Sequence, residues 1–210
     1  AFPEFSKTTH VVEPFEIPKN WYRFRAADWG YSSPACVLWI AVDYDNNLWI
    51  YRELYTSKVT ADIFARQVLD LEQSEYIQYG VLDSSTWAKR GDVGPSIAET
   101  MIQQGCRWRP SDRSPKSRIN GKLEVHKRLR VNDKEPGIRI FKTCKNLIRT
   151  LSTLPTDSKN PEDVDTNAED HAYDALRYGC MSRPMHPKYA QRFKPMFTPD
   201  FKPADNKFGY

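Results

Sequence analysis

The run from Ala35 to Tyr44, ACVLWIAVDY, is nearly continuous in apolar character and rich in β-forming residues, so it predicts a strand around which a sheet must be built. Another strand is predicted before it, from Tyr22 to Asp28, closed by a turn at Gly30. Asp45, Asn46 and Asn47 make a compact turn after it, and Leu48, Ile50 and Arg52 then alternate with Trp49, Tyr51 and Glu53 in a third strand over Leu48 to Tyr55. Thr60 opens a helix whose apolar positions Ile63, Phe64, Val68, Leu69 and Leu71 follow a 3.6-residue period. Further strands are expected at 79–83, 106–109 and 138–141, with helices at 97–104, 122–131, 143–154 and 169–182. The order predicts an α/β domain with a mixed central sheet flanked by helices.

The chain of 210 residues is long enough for one ordinary domain with a core, and its 40% hydrophobic content excludes a disordered class. A net charge of +4 is too small to identify a partner, so the distribution of charge matters more than its total. Cys36, Cys106, Cys144 and Cys180 lie far apart without a CxxC pair, which argues against a zinc knuckle or a disulfide framework. No apolar run approaches the ~20 residues of a membrane span, so no membrane partner is expected. Residues 1–20, with Pro3, Pro14 and Pro18, read as an extended leader or linker, and 21–183 as the body. From Pro184 to Tyr210, five prolines forbid a regular helix while Tyr189, Phe193, Phe197 and Phe201 recur at every fourth position, as in a terminal tail or an aromatic docking peptide.

Two predicted strands end in a carboxylate: Asp28 in RAADWG and Asp83 in YGVLD. Singly, each suits a turn or a helix cap; together, strand-end carboxylates face a common cleft. The last predicted helix carries Asp170, His171 and Asp174, whose spacings of three and four put them on one broad face. A helix N-terminus accounts for Glu169 and Asp170, but not for Asp174 one turn further in. A divalent cation accounts for the whole set, and oxygen ligands suit Mg²⁺ or Mn²⁺ rather than zinc. Two such ions about 4 Å apart can activate water and stabilise a departing 3′ oxygen in phosphodiester hydrolysis. Asp163, Asp165, Asn167 and Asp174 partly mimic a calcium loop, yet Ala168 replaces its glycine and Asp174 its terminal Glu, so 157–165 reads more simply as a solvated acidic loop.

With Ala27-Asp28-Trp29-Gly30, Val81-Leu82-Asp83 and DHAYDALRY in this order, the stretch from about Tyr22 to Met181 resembles the nuclease domain of the large terminase subunit of tailed bacteriophages, a ribonuclease H-like fold. The resemblance implies metal-dependent endonucleolytic cutting of concatemeric double-stranded viral DNA during genome packaging, in the host bacterial cytoplasm. It implies Asp28, Asp83 and Asp174 as core metal ligands in catalysis, with Asp170 as a further ligand and His171 as a group orienting water or phosphate. Two Mg²⁺ or Mn²⁺ ions are the expected cofactors, and a portal protein and a small terminase subunit the expected partners. No G-x-x-x-x-G-K-[ST] loop is present, so the ATPase motor of such subunits is expected elsewhere.

Between Gly105 and Arg130 nine basic residues face two acids. Its first half reads as a loop, and Arg113, Lys116, Arg118, Lys122, Lys127 and Arg128 are the expected phosphate contacts, with Trp87, Lys89 and Arg90 adding stacking or charge. Two alternatives remain at this point: a structure-selective resolvase of the same fold, and a non-catalytic DNA-binding or docking module.

Overall fold

The computed structural model describes residues 1–89, 94–132 and 135–183; Arg90 and the segment 184–210 lie outside the described residues. In chain order the elements are α1 (Lys7–His10), β1 (Val11–Val12), β2 (Tyr22–Asp28), β3 (Ala35–Val42), β4 (Leu48–Thr56), α2 (Ala61–Glu72), β5 (Gly80–Leu82), α3 (Ile97–Gln103) and β6 (Arg109–Pro110). They continue with α4 (Ser117–Leu129), β7 (Val131–Asn132), β8 (Glu135–Pro136), β9 (Ile138–Phe141), α5 (Lys145–Thr153) and α6 (His171–Ser182). Seven strands form one mixed sheet in the order β1-β9-β4-β3-β2-β5-β6, and β7 with β8 makes a separate antiparallel ribbon. The architecture is the expected α/β one, a mixed central sheet flanked by helices.

β3 explains the layering. All eight of its residues are buried, so both faces of the sheet need cover. On β2, which pairs antiparallel with β3, the period of two sends Arg25 to one face and Phe24, Ala26 and Asp28 to the other. α2 covers the first face through Phe64, Val68 and Glu72. α6 covers the second and approaches the strands very closely: a Cβ added at Gly179 would stand 2.7 Å from Ile40 Cδ1 and 3.3 Å from Ala26 Cβ. The glycine and the alanine together let the helix axis sink towards β2.

The expected strands over 22–28 and 138–141 coincide with β2 and β9. Three expectations are corrected. The first twenty residues pack on the body: β1 joins β9 in parallel, and Phe2, His10 and Ile17 are buried. α4 starts at Ser117 rather than 122: Gly121 lies within the helix, at the point where α4 meets the Arg177 side chain of α6. The strand expected at 106–109 is displaced to Arg109–Pro110, since the Arg107 carbonyl accepts a 2.7 Å hydrogen bond from Arg25 Nη2.

Candidate active site

Asp28 closes β2, and Asp83 follows the last residue of β5. Because β2 and β5 are parallel with Ala27 opposite Leu82, the two carboxylates emerge at the same end of neighbouring strands, and the Asp83 N–H donates to the Ala27 carbonyl at 3.2 Å. Asp83 also caps the helical turn Ser84–Trp87, accepting from the Ser85 N–H at 3.1 Å. β6 continues the sheet beside β5. The Ser111 hydroxyl accepts from the Ser84 N–H at 3.1 Å, which brings the start of the basic loop against this strand end.

α6 supplies the other half. Its Asp170 sits at the N-cap position but makes no side-chain capping bond, so its carboxylate is directed elsewhere. His171 Nδ1 lies 3.0 Å from Asp28 Oδ2, joining α6 to β2. Asp174, buried, is held by Arg177 Nε at 2.9 Å on one oxygen and by Arg118 Nη1 at 3.5 Å on the other. Arg118 Nη2 stands 3.9 Å from Asp170, and its Nε donates to Asp163 at 2.9 Å.

These carboxylates feel one another. Burial pushes Asp28 up to about 7, with the hydrogen bond from His171 opposing the rise and Asp174 and Asp83 adding to it. Burial, and then the charge of Asp174, pushes Asp170 up to about 6. The His171 imidazole is raised, above all by its hydrogen bond to Asp28. The hydroxyl of Tyr178 is driven up by burial first, then by Asp174, with Asp28 and Asp83 contributing in the same sense. Asp28, Asp83 and Asp174, from three distant parts of the sequence, thus lie within electrostatic reach of one another at this end of the sheet.

An all-oxygen, acid-rich donor set suits a hard divalent cation. Its spacing is another matter: among the described residues no three His, Cys, Asp or Glu side chains stand close enough to hold an ion as they are. Cations of the protein itself, Arg118 and Arg177, occupy the Asp174 oxygens.

The expected phosphate contacts divide. Arg113 and Lys116 are exposed on the loop next to the site, and Lys127 is exposed and paired with Glu124 at 2.5 Å. Arg128 is fully buried, donating to the carbonyls of Asn46 and Arg183 at 3.0 and 2.7 Å, so it ties the fold together instead of meeting DNA. Lys122 is buried with its ammonium 3.0 Å from the carbonyls of Pro161 and Asp163, and is likewise structural. Trp87 packs against the core, while Lys89 is exposed. Arg118 belongs to the carboxylate cluster. So does Asp163, which reads from sequence as part of a solvated loop; the buried Val164 beside it and the bridge to Thr156 pin that segment down.

The sequence matches no family model and no curated protein. Solved structures that share the fold include several phage proteins. The large terminase nuclease domain of P22 superimposes with a TM-score of 0.70 at 20% identity, over 85% of this chain and 90% of that one. The large terminase of a thermophilic bacteriophage gives 0.70 at 17% identity, over 88% of this chain, which spans 45% of that longer protein. The large terminase nuclease of a further thermophilic phage, G20c, gives 0.56 at 16% identity, over 81% of this chain and 92% of that one; it has also been crystallised with bound zinc and with bound cobalt.

Proposed function

We propose that this chain is the nuclease portion of a phage large terminase, cutting concatemeric double-stranded DNA with the help of divalent cations. The observation that carries the reading is the meeting of Asp28 and Asp83, at adjacent parallel strand ends, with Asp174 on the helix crossing above them. The shared fold with terminase nuclease domains supports it, as do the zinc and cobalt bound by the G20c nuclease.

Asp28, Asp83 and Asp174 would hold the cations, with Asp170 at the margin. Bound there, Mg²⁺ or Mn²⁺ would lower the pKa of an attacking water and neutralise charge on the scissile phosphate. The protein's own groups do the rest. His171 fixes the orientation of Asp28 through its 3.0 Å contact. Arg113 and Lys116 lie exposed next to an acidic pocket that would otherwise repel DNA, and their charge holds the backbone without reading bases. Ser84 and Ser111 tie the strand end to the loop that presents them. In a packaging motor the partners would be a portal protein and a small terminase subunit.

The test is nicking of supercoiled plasmid by the purified chain with millimolar MnCl₂. Asp28→Asn, Asp83→Asn and Asp174→Asn should each abolish nicking with folding intact. Full activity in all three would overturn the site. Preference for a four-way junction over linear duplex would move the reading to a resolvase.

A further inference from the structure

We infer that Arg118 is a built-in counter-cation of the carboxylate pocket, one that yields Asp170 and Asp174 to divalent ions and withdraws onto Asp163. The inference rests on the metal-dependent reading above, and it addresses the mismatch found there between a donor set of suitable chemistry and a spacing that holds no ion.

The guanidinium is gripped unequally. Asp163 takes it by two nitrogens, Nε at 2.9 Å and Nη2 at 3.4 Å, whereas the contacts to Asp174 and Asp170 are longer, at 3.5 and 3.9 Å. The side of the group that faces the pocket is therefore its weaker attachment. Arg177 differs in every respect: it is buried, sits on the same helix as Asp174 and holds the other oxygen at 2.9 Å. It is a fixed brace. Arg118 projects from the first turn of α4 and, about one-third exposed, is the more accessible of the two arginines.

Electrostatics demands such a move. A guanidinium within 4 Å of two carboxylates neutralises them well, but a dication entering the same pocket meets its charge at close range. Either the ion or the arginine holds Asp170 and Asp174. Asp163 lies outside the expected ligand set and can keep the displaced guanidinium paired, which spares the cost of an orphaned, partly buried charge. The guanidinium would thus stay paired whether or not ions are present.

Two substitutions should act with opposite signs. Melting of the chain is followed while MnCl₂ is titrated from micromolar to millimolar at low salt, and the half-saturating Mn²⁺ concentration is read. Arg118→Ala should lower that concentration about tenfold, because one competing charge at close range is gone. Asp163→Asn removes the resting place and should raise it several-fold. Arg118→Lys keeps the charge and should stay near the unmodified protein. A purely structural brace would instead lower the metal-free melting temperature in both variants and leave half-saturation unchanged, which would overturn the inference. If Arg118→Ala melts too low to read, the other two variants decide: a lower half-saturation in Asp163→Asn sinks the idea. Should the unmodified chain gain no stability from Mn²⁺, the nuclease reading itself fails; a normal gain with no difference among the variants removes Arg118 alone.

Discussion

The two faces of β2 treat charge in opposite ways. On the α2 face, Arg25 meets Glu72 through Nη1 at 2.5 and 2.7 Å, the Trp39 indole N–H donates to the same carboxylate at 2.8 Å, and Trp108 stacks on the guanidinium at 4.3 Å. One cation matches one anion. On the α6 face three residues later, Asp28 joins Asp83, Asp170 and Asp174, and the counter-charges are two arginines and a histidine shared among them and Asp163. The first face resembles an ordinary buried pair, finished by the protein alone. The second has an excess of acid that the protein offsets only in part, as the cation site proposed above would require.

Breaking the contrast should have its largest effect on cleavage. Asp174→Asn or Asp28→Asn is expected to cost at least about 10²–10³ in the nicking rate, while circular dichroism and metal-free melting show an intact fold. Glu72→Ala should do the reverse. Leaving Arg25 buried without its partner costs about 3–5 kcal/mol, seen in urea denaturation, with the Mn²⁺ concentration needed for cleavage unchanged at a temperature where the variant is folded.

The remaining predictions sharpen the comparison. Ligation needs ionised carboxylates, and Asp28 stands at about 7 and Asp170 at about 6, so apparent Mn²⁺ affinity should fall about tenfold per unit as pH drops below the higher value. Without metal the sign is opposite for stability. The folded state holds the Asp28 proton more tightly than the unfolded chain does, so the penalty for ionising it grows as pH rises from the ordinary carboxylate value of 3.8 to about 7 and is complete above that. Asp28→Asn should therefore melt a few degrees higher than the unmodified chain at pH 8, with the two converging near pH 4. The smallest effect belongs to the loop: Arg113→Gln with Lys116→Gln should reduce the slope of log K against log salt for DNA binding by about 2. An unchanged slope would remove the loop from the interface.

Much of this was legible in the chain because the signals were local. The unbroken apolar run of β3, the alternation of β4 and the carboxylates closing β2 and β5 each sit within ten residues. Asp170, His171 and Asp174 share a helix, so their common face follows from periodicity. What escaped depends on partners far away in sequence. Arg118 and Lys122 look alike in a basic run, yet one enters the carboxylate pocket and the other caps carbonyls 39 and 41 positions later. Arg128 is a further case, since nothing near it announces that Asn46 will supply its acceptor. A leader dotted with prolines gives no hint that Val11 and Val12 will complete a sheet edge against Ile140 and Phe141.

The contact of Gly179 with Ile40 and Ala26 acts as a fulcrum. Asp174 lies more than one helical turn from it and Asp170 more than two, so a methyl group added at 179, by lifting this end of α6, would tilt the far end and swing both carboxylates across the strand tips. A change of one carbon in the interior would thus be read out as misalignment at the carboxylate end, a lever ratio set by where along the helix the smallest residue has been placed.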